Sequence, residues 1–217
     1  MMNFNSKTGL ILFLAVKGFK QHLFGSIAAA FSIALAGGLF LSTIKIQDQT
    51  QISFNNASGG FDAVLGARGS KLQLILNALF HLDSSPGNLP WEQYELIKKT
   101  PGVKEAYPIA VGDNYLGYRL VGTEPRLFVE HEWKKGQRYE LRRGRIFSSM
   151  AKEALVGSFV TQKLNLKIGD RFQPYHGLNF KEDTQHEDVF TVVGLLEPTG
   201  TPADKVIWVP IKGIPHM

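Results

Sequence analysis

The sequence predicts an α+β protein: one N-terminal transmembrane helix, then a mixed α/β extracytoplasmic domain with antiparallel strands. Three observations carry this reading. The run Leu23–Ile44 holds no charged residue, and at helical rise it extends about 33 Å, enough to cross the hydrocarbon core of a bilayer. Beyond it the chain turns polar, and helical periodicity gives way to strand signals after Pro101-Gly102. The 217 residues contain no cysteine, so a domain outside the membrane must be held by its core, for which roughly 170 residues suffice.

Lys7, Lys17 and Lys20 precede the apolar run and no acidic residue does. That bias places the N-terminus in the cytoplasm. Thr8–Lys20 reads as an amphipathic segment at the interface, with its lysines among the headgroups. The chain therefore divides into a basic interfacial segment (1–21), a transmembrane helix (22–44) and an extracytoplasmic domain (45–217). Two other readings of the N-terminus exist. In a cleaved signal peptide Gly9–Val16 would be the apolar stretch, cut near Ala15, but the longer run behind it would have no role. A buried core helix of this length without charge is unusual. Ser26, Ala30, Ala34, Gly38 and Ser42 recur every four residues along the span. On a helix they form a ridge of small side chains against which another membrane helix can pack closely, although such residues are common in membrane helices anyway.

The net charge of +5 owes three charges to the lysines before the span. The remainder is nearly neutral, which argues against a nucleic-acid surface. Without cysteine there is no disulfide framework, thiolate metal site or cysteine nucleophile.

Taken in order, Lys45–Ser58 continues the span as a polar helical stalk until Gly59-Gly60. Phe61–Gly66 reads as a short strand and Ala67–Ser70 as a turn. Ser70–Leu82 has helical periodicity, with Leu72, Ile75, Leu79 and Leu82 expected inward and Gln73, Asn77 and His81 on the opposite stripe. Asp83–Gly87 ends it. Pro90 suits the first turn of a helix over Trp91–Thr100, with Trp91, Tyr94 and Ile97 inward and a Glu95–Lys99 pair outside. Val103–Val111 and Tyr115–Thr123 read as a hairpin turning at Gly112-Asp113-Asn114. Glu124–Phe147 is irregular and charge-rich. Glu153–Gly157 is a strand, after which Ser158 is placed to cap a helix over Phe159–Leu166. Lys167–Asp170 turns into Arg171–Gln173. Val189–Leu196 and Val206–Ile211 are strands on either side of Glu197–Pro202.

Candidate sites are few. Gly66–Lys71 has too few residues between its glycines for a phosphate loop and reads as a turn. Arg138, Arg142, Arg143 and Arg145 lie near Glu130, Glu132 and Glu140, as a self-paired solvated surface or as an anion or headgroup contact. The loop from His176 concentrates ligating groups: His176, Asp183, His186 and Glu187, with Glu182 and Asp188 beside them. Imidazole and carboxylate suit zinc or a similar divalent ion. Equally, such a loop serves solubility. His81 is a distant third imidazole, or faces water. No nucleophile elbow, ordered Ser/His/Asp set or paired carboxylate emerges, so no enzyme site is expected.

Three segments together resemble a known family: Gly144–Phe147 (GRIF), Glu153–Phe172 (EALVGSFVTQKLNLKIGDRF) and Val189–Ile211 (VFTVVGLLEPTGTPADKVIWVPI). Following a basic start and a single span, they resemble the MacB/FtsX-type ABC transporter permeases, in their MacB-like periplasmic core domain. Phe61–Pro90 is similar to a bacterial branch of permeases of ABC transport systems. The resemblance implies the N-terminal portion of a permease subunit in the inner membrane, with its main domain periplasmic. It further implies a separate cytoplasmic ABC ATPase, a second permease copy or homologue as partner, and no cofactor in this chain apart from the zinc considered above. Members of the family continue into three further membrane helices, so a chain stopping at Met217 is expected to be a fragment, a truncated product or a single-span relative. The alternative reading is a single-pass anchored periplasmic binding or adaptor domain, metal-linked through His176 and His186.

Overall fold

The computed structural model describes residues 7–82, 85–176 and 188–213. The chain forms two compact units, Met1–Ile52 and Ser53–Met217.

The first unit is helical. α1 (Lys7–Gln21) and α2 (Leu23–Ala57) meet at His22. The ladder hardly breaks there: the His22 N–H bonds the Gly18 carbonyl at 3.1 Å and the Ser26 N–H bonds the His22 carbonyl at 2.9 Å. Within α2, Leu23–Thr50 is long and apolar enough to cross a membrane. Three of its hydroxyls are absorbed internally. Ser32, Thr43 and Thr50 donate to the carbonyls one turn back, at 2.9, 2.9 and 2.7 Å, which removes the cost of a bare hydroxyl in hydrocarbon. The helix runs past Ile44 into the polar stalk, as the sequence suggested. Gly59 and Gly60 follow its end at φ +58° and +83°, a conformation that glycine adopts without penalty.

The second unit is built on one mixed sheet. Its strands are β1 (Ala110–Tyr115), β2 (Tyr118–Thr123), β5 (Leu141–Gly144), β6 (Glu153–Val156), β7 (Arg171–Phe172), β8 (Tyr175–His176), β9 (Phe190–Leu196) and β10 (Ile207–Pro210). The order is β5-β9-β6-β10-β2-β1-β8, with β7 also on β9. A separate two-stranded sheet pairs β3 (Glu132–Lys134) with β4 (Gln137–Arg138). The central pairs β10–β2 and β6–β9 are parallel and the others antiparallel. The expected mixed domain with antiparallel strands is thus present, and two parallel pairs flank the antiparallel β6–β10 pair at its centre, because long connections, α6 (Ser158–Leu164) among them, bring the chain back in the same direction.

Strand alternation divides the core between two faces. Leu120, Ala154, Val156, Val192, Ile207 and Val209 join Val160 of α6 and Phe172 on one face. Val121, Leu155, Leu196 and Trp208 pack on the other with Phe147 and with Leu127 and Phe128 of α5 (Leu127–Glu130). A sheet covered on both faces needs apolar residues at both phases of its period, which strands such as Ile207–Pro210 supply.

Several local readings need correction. Phe61–Gly66 forms no strand; Phe61 is used for its ring, as described below. The hairpin turns at Leu116-Gly117, with φ +49° and +86°, and Asp113 and Asn114 are buried strand residues. Two successive positive-φ residues give the twist that a two-residue hairpin turn requires. Val103–Ile109 is extended chain outside the sheet. Pro90 is the N-cap of α4 (Trp91–Lys98) rather than a residue of its first turn. Gly157 is the N-cap of α6, and Ser158 is its first residue. Glu124–Phe147, read as irregular, contains α5 and three short strands. The largest correction is α3 (Lys71–Ala78). Ser70 caps it, its hydroxyl accepting from the Gln73 N–H at 3.3 Å. Its faces largely exchange: Leu72, Ile75 and, just beyond, Leu82 are exposed and Leu79 is half-buried, whereas Asn77 and His81 are buried.

Candidate functional site: the joint at the end of the membrane helix

Where α2 ends, the chain is gripped by residues far away in sequence. Gly59-Gly60 releases the backbone from the helix, and Phe61 then swings its ring onto His131. The two rings stack with centroids 4.2 Å apart and planes 9° from parallel. His131 follows α5 and is only 5% exposed. Its Nε2 lies 2.6 Å from the Gly59 carbonyl oxygen, and its Nδ1 lies 3.4 Å from Glu105 Oε2. Tyr107 closes the group, edge-on to both rings at 6.2 and 5.6 Å, and donates its hydroxyl to Glu105 at 3.1 Å. Burial, and then the Glu105 carboxylate, push the Tyr107 phenol well above its ordinary range. Only glycine fits at position 60, where a Cβ would overlap the Glu132 carbonyl oxygen.

Behind the joint stands Arg126, at the start of α5. Its guanidinium lies 4.4 Å over the Tyr107 ring. It donates to Glu124 at 2.5 Å, Glu130 at 3.3 Å and the Tyr94 hydroxyl at 3.0 Å, and also to the Ala106 carbonyl. Tyr94 in turn donates to Glu124 at 3.1 Å. Burial opposes the Arg126 charge, but the bonds to Glu124 and Tyr94 outweigh it, and the arginine is held more firmly protonated than usual. Burial raises the Tyr94 phenol. One cation thus ties α4, the 103–109 segment and α5 together. Beside it a depression of about 270 Å³ is lined by Thr123, Arg126, Ser149, Ile211 and Lys212 among others.

The residues singled out from sequence are placed elsewhere. Ser26, Ala30, Ala34, Gly38 and Ser42 all lie on α2, and a Cβ added at Gly38 would meet nothing within 4 Å. The backbone of His176 pairs with Asp113 at the sheet edge, but its side chain and the whole of Asp183, His186 and Glu187 lie outside the described residues. Among the described residues no group of three or more His, Asp or Glu could hold a metal. His81 neither faces water nor lies open to a ligand: it is buried edge-on to Trp208. Within the basic cluster, Arg145 is fastened to Glu153 through two bonds of 2.8 and 2.5 Å, and Arg138 lies 3.7 Å from Glu132. Arg142 and Arg143 are exposed on β5.

Sequence reasoning passed over Glu105, Tyr107, Arg126 and His131. No spacing rule joins His131 to Gly59, which is 72 positions away. The available signal was Gly59-Gly60-Phe61 itself, a helix breaker followed by an aromatic residue.

The joint is a packed cluster of two aromatic rings, an imidazole and a carboxylate. The extracellular domain of the noncanonic ABC-type transporter YknZ from Gram-positive bacteria is a structural match at 17% identity, covering 67% of this chain and 71% of that one, with a TM-score of 0.40. No curated protein matches. The model of the MacB-like periplasmic core domain matches residues 25–216, and the chain belongs to that family, the one of the MacB/FtsX-type ABC permeases that its sequence resembles.

Proposed function

We propose that the chain is the N-terminal part of an inner-membrane ABC permease subunit, one that carries movement between a separate cytoplasmic ATPase and a periplasmic domain. The observation that supports this is the continuity of α2 with the joint. A single helix of 35 residues leads from the apolar span to a backbone carbonyl held by a buried histidine. A helix transmits axial displacement because its hydrogen-bonded ladder is stiff, and a gripped end passes that displacement on instead of dissipating it in a slack linker. The chain itself is non-catalytic in this reading, and a second permease copy would pack along the ridge from Ser26 to Ser42.

The absence of cysteine makes the topology directly testable, since one introduced thiol is the only one. In intact cells Ser149→Cys should react with an impermeant maleimide, and Ser6→Cys should react only after permeabilisation. The reverse pattern would end the proposed orientation. Purification of the protein from its native membrane should bring down an ABC ATPase with vanadate-sensitive activity. Purification without one removes the coupling. Zinc at His176, Asp183, His186 and Glu187 is a separate proposal. Calorimetry on the full chain tests it, and no heat of binding would exclude it.

A further inference from the structure

We propose that His131 is held as the imidazolium and works as a proton-dependent clasp on the end of the membrane helix. The consequence for force transmission rests on the permease reading; the clasp itself does not.

Each ring nitrogen faces an oxygen that only accepts. The Gly59 carbonyl is 2.6 Å from Nε2, so that nitrogen carries a proton. Glu105 Oε2 is 3.4 Å from Nδ1, and it already accepts the Tyr107 hydroxyl. A neutral imidazole has one N–H and one lone pair. With its proton committed to Gly59, that lone pair would point at a carboxylate. Only the ring with two protons suits both neighbours. The stacked Phe61 face at 4.2 Å favours a cation as well, and the ring itself is only 5% exposed.

The charged and titratable groups around the ring are consistent with this. On the 103–109 segment they are Lys104, Glu105 and Tyr107. At the start of α5 and along it they are Arg126 and Glu130, on β3 and β4 Glu132 and Arg138, and on the chain leaving α2, Asp62. The cations are paired with other carboxylates or exposed: Arg126 with Glu124 and Glu130, Arg138 3.7 Å from Glu132, and Lys104, exposed, 3.9 Å from Glu105. A rise in pH that takes the Nδ1 proton leaves a lone pair in its place. The lone pair then opposes Glu105, the ring turns, and its hold on Gly59 loosens. The clasp is closed at lower pH and open at higher pH.

The test uses the full chain in nanodiscs with ¹⁵N-labelled histidine, the His131 signals being assigned through His131→Gln or, if that variant does not fold, through their displacement in Glu105→Gln. Between pH 5 and 8.5, both ring nitrogens should be protonated at the acid end and one should lose its proton as pH rises. The Phe61 amide, bonded to the Ser58 carbonyl at 3.1 Å, should exchange faster through the same transition, beyond the intrinsic rise with pH. Glu105→Gln should move both midpoints to lower pH, because the carboxylate facing Nδ1 is gone. A ring neutral throughout, with the proton on Glu105 instead, overturns the proposal. So does a titration that leaves the Phe61 amide unchanged, or a midpoint indifferent to Glu105→Gln. None of these readings involves an ATPase, so they fail or succeed independently of the transporter assignment.

Discussion

His81 sits at φ +55°, its ring edge-on to Trp208 with centroids 5.4 Å apart. Burial pulls its titration down from 6.5 to about 4, against a smaller opposing effect of the Asn77 backbone. The folded state therefore keeps the neutral ring, while the unfolded chain takes up the proton first. The contribution of this group is present above pH 6.5 and is lost as pH falls toward 4. Its full size is about 3 kcal/mol. Unfolding of the detergent-solubilised chain at pH 7.5 and 4.5 should show this loss, and His81→Asn, which tolerates positive φ, should remove most of it. Arg126 makes a different kind of contribution. Replacing it with methionine leaves Glu124, 17% exposed, without its cation and the Tyr94 hydroxyl with one bond fewer. We expect a cost of about 2–3 kcal/mol in chemical unfolding. A change below about 0.5 kcal/mol would show that the hub is ornamental.

Among the elements, α3 departs most from expectation. A helical wheel shows that Leu72, Ile75, Leu79 and Leu82 share a stripe, but it does not say on which side the core lies. Here the core side is set by Trp208 against His81 and by Leu74, whose side chain packs over Gly66, where a Cβ would collide with it. The consequence is measurable. Leu72, 67% exposed, should tolerate Leu72→Gln within about 0.5 kcal/mol, as an exposed site does. Asn77, 7% exposed and bonded, should lose more than about 1 kcal/mol as Asn77→Leu. The opposite ranking would restore the wheel's assignment. The β1–β2 turn shows a related limit. Gly112-Asp113-Asn114 has the composition of a turn, but Leu116-Gly117 has the geometry. The strand bulges between Val111 and Asn114 instead, and it buries the two polar residues that had marked a loop.

For the whole molecule, the centre of the sheet carries the stability. Ala154, Val156, Val192, Ile207 and Val209 are fully buried and come from strands that pair with one another across β9, β6 and β10. Their amides should open only with global unfolding, so hydrogen exchange should be slowest at Val192, Ile207 and Val209. α3, with its exposed leucines, should exchange orders of magnitude faster. Equal protection in both regions would mean that the excursion 61–109 is as tightly coupled as the sheet. The Pro198–Pro202 stretch that helped carry the family resemblance has a structural role here. Asp204 accepts from the backbone of Thr199 at 3.0 Å and Gly200 at 2.8 Å, and from the Thr199 hydroxyl at 2.9 Å. This fixes the return from β9 into β10.

The sequence by itself determined what depends on local chemistry and length: the apolar span, the helical stalk that ends at two glycines, the strands over 153–156, 190–196 and 207–210, and the family. Each is written in neighbouring residues, because hydropathy, helical rise and strand period are properties of short windows. The tertiary structure alone decided which face of α3 is inside, that the β9–β6 and β10–β2 pairs are parallel, and that Glu105, Tyr107, Arg126 and His131 converge on Gly59 and Phe61. Those outcomes depend on contacts between segments tens of residues apart, where the partner is selected by packing and by the need to pair buried polar groups. No window of sequence contains that information.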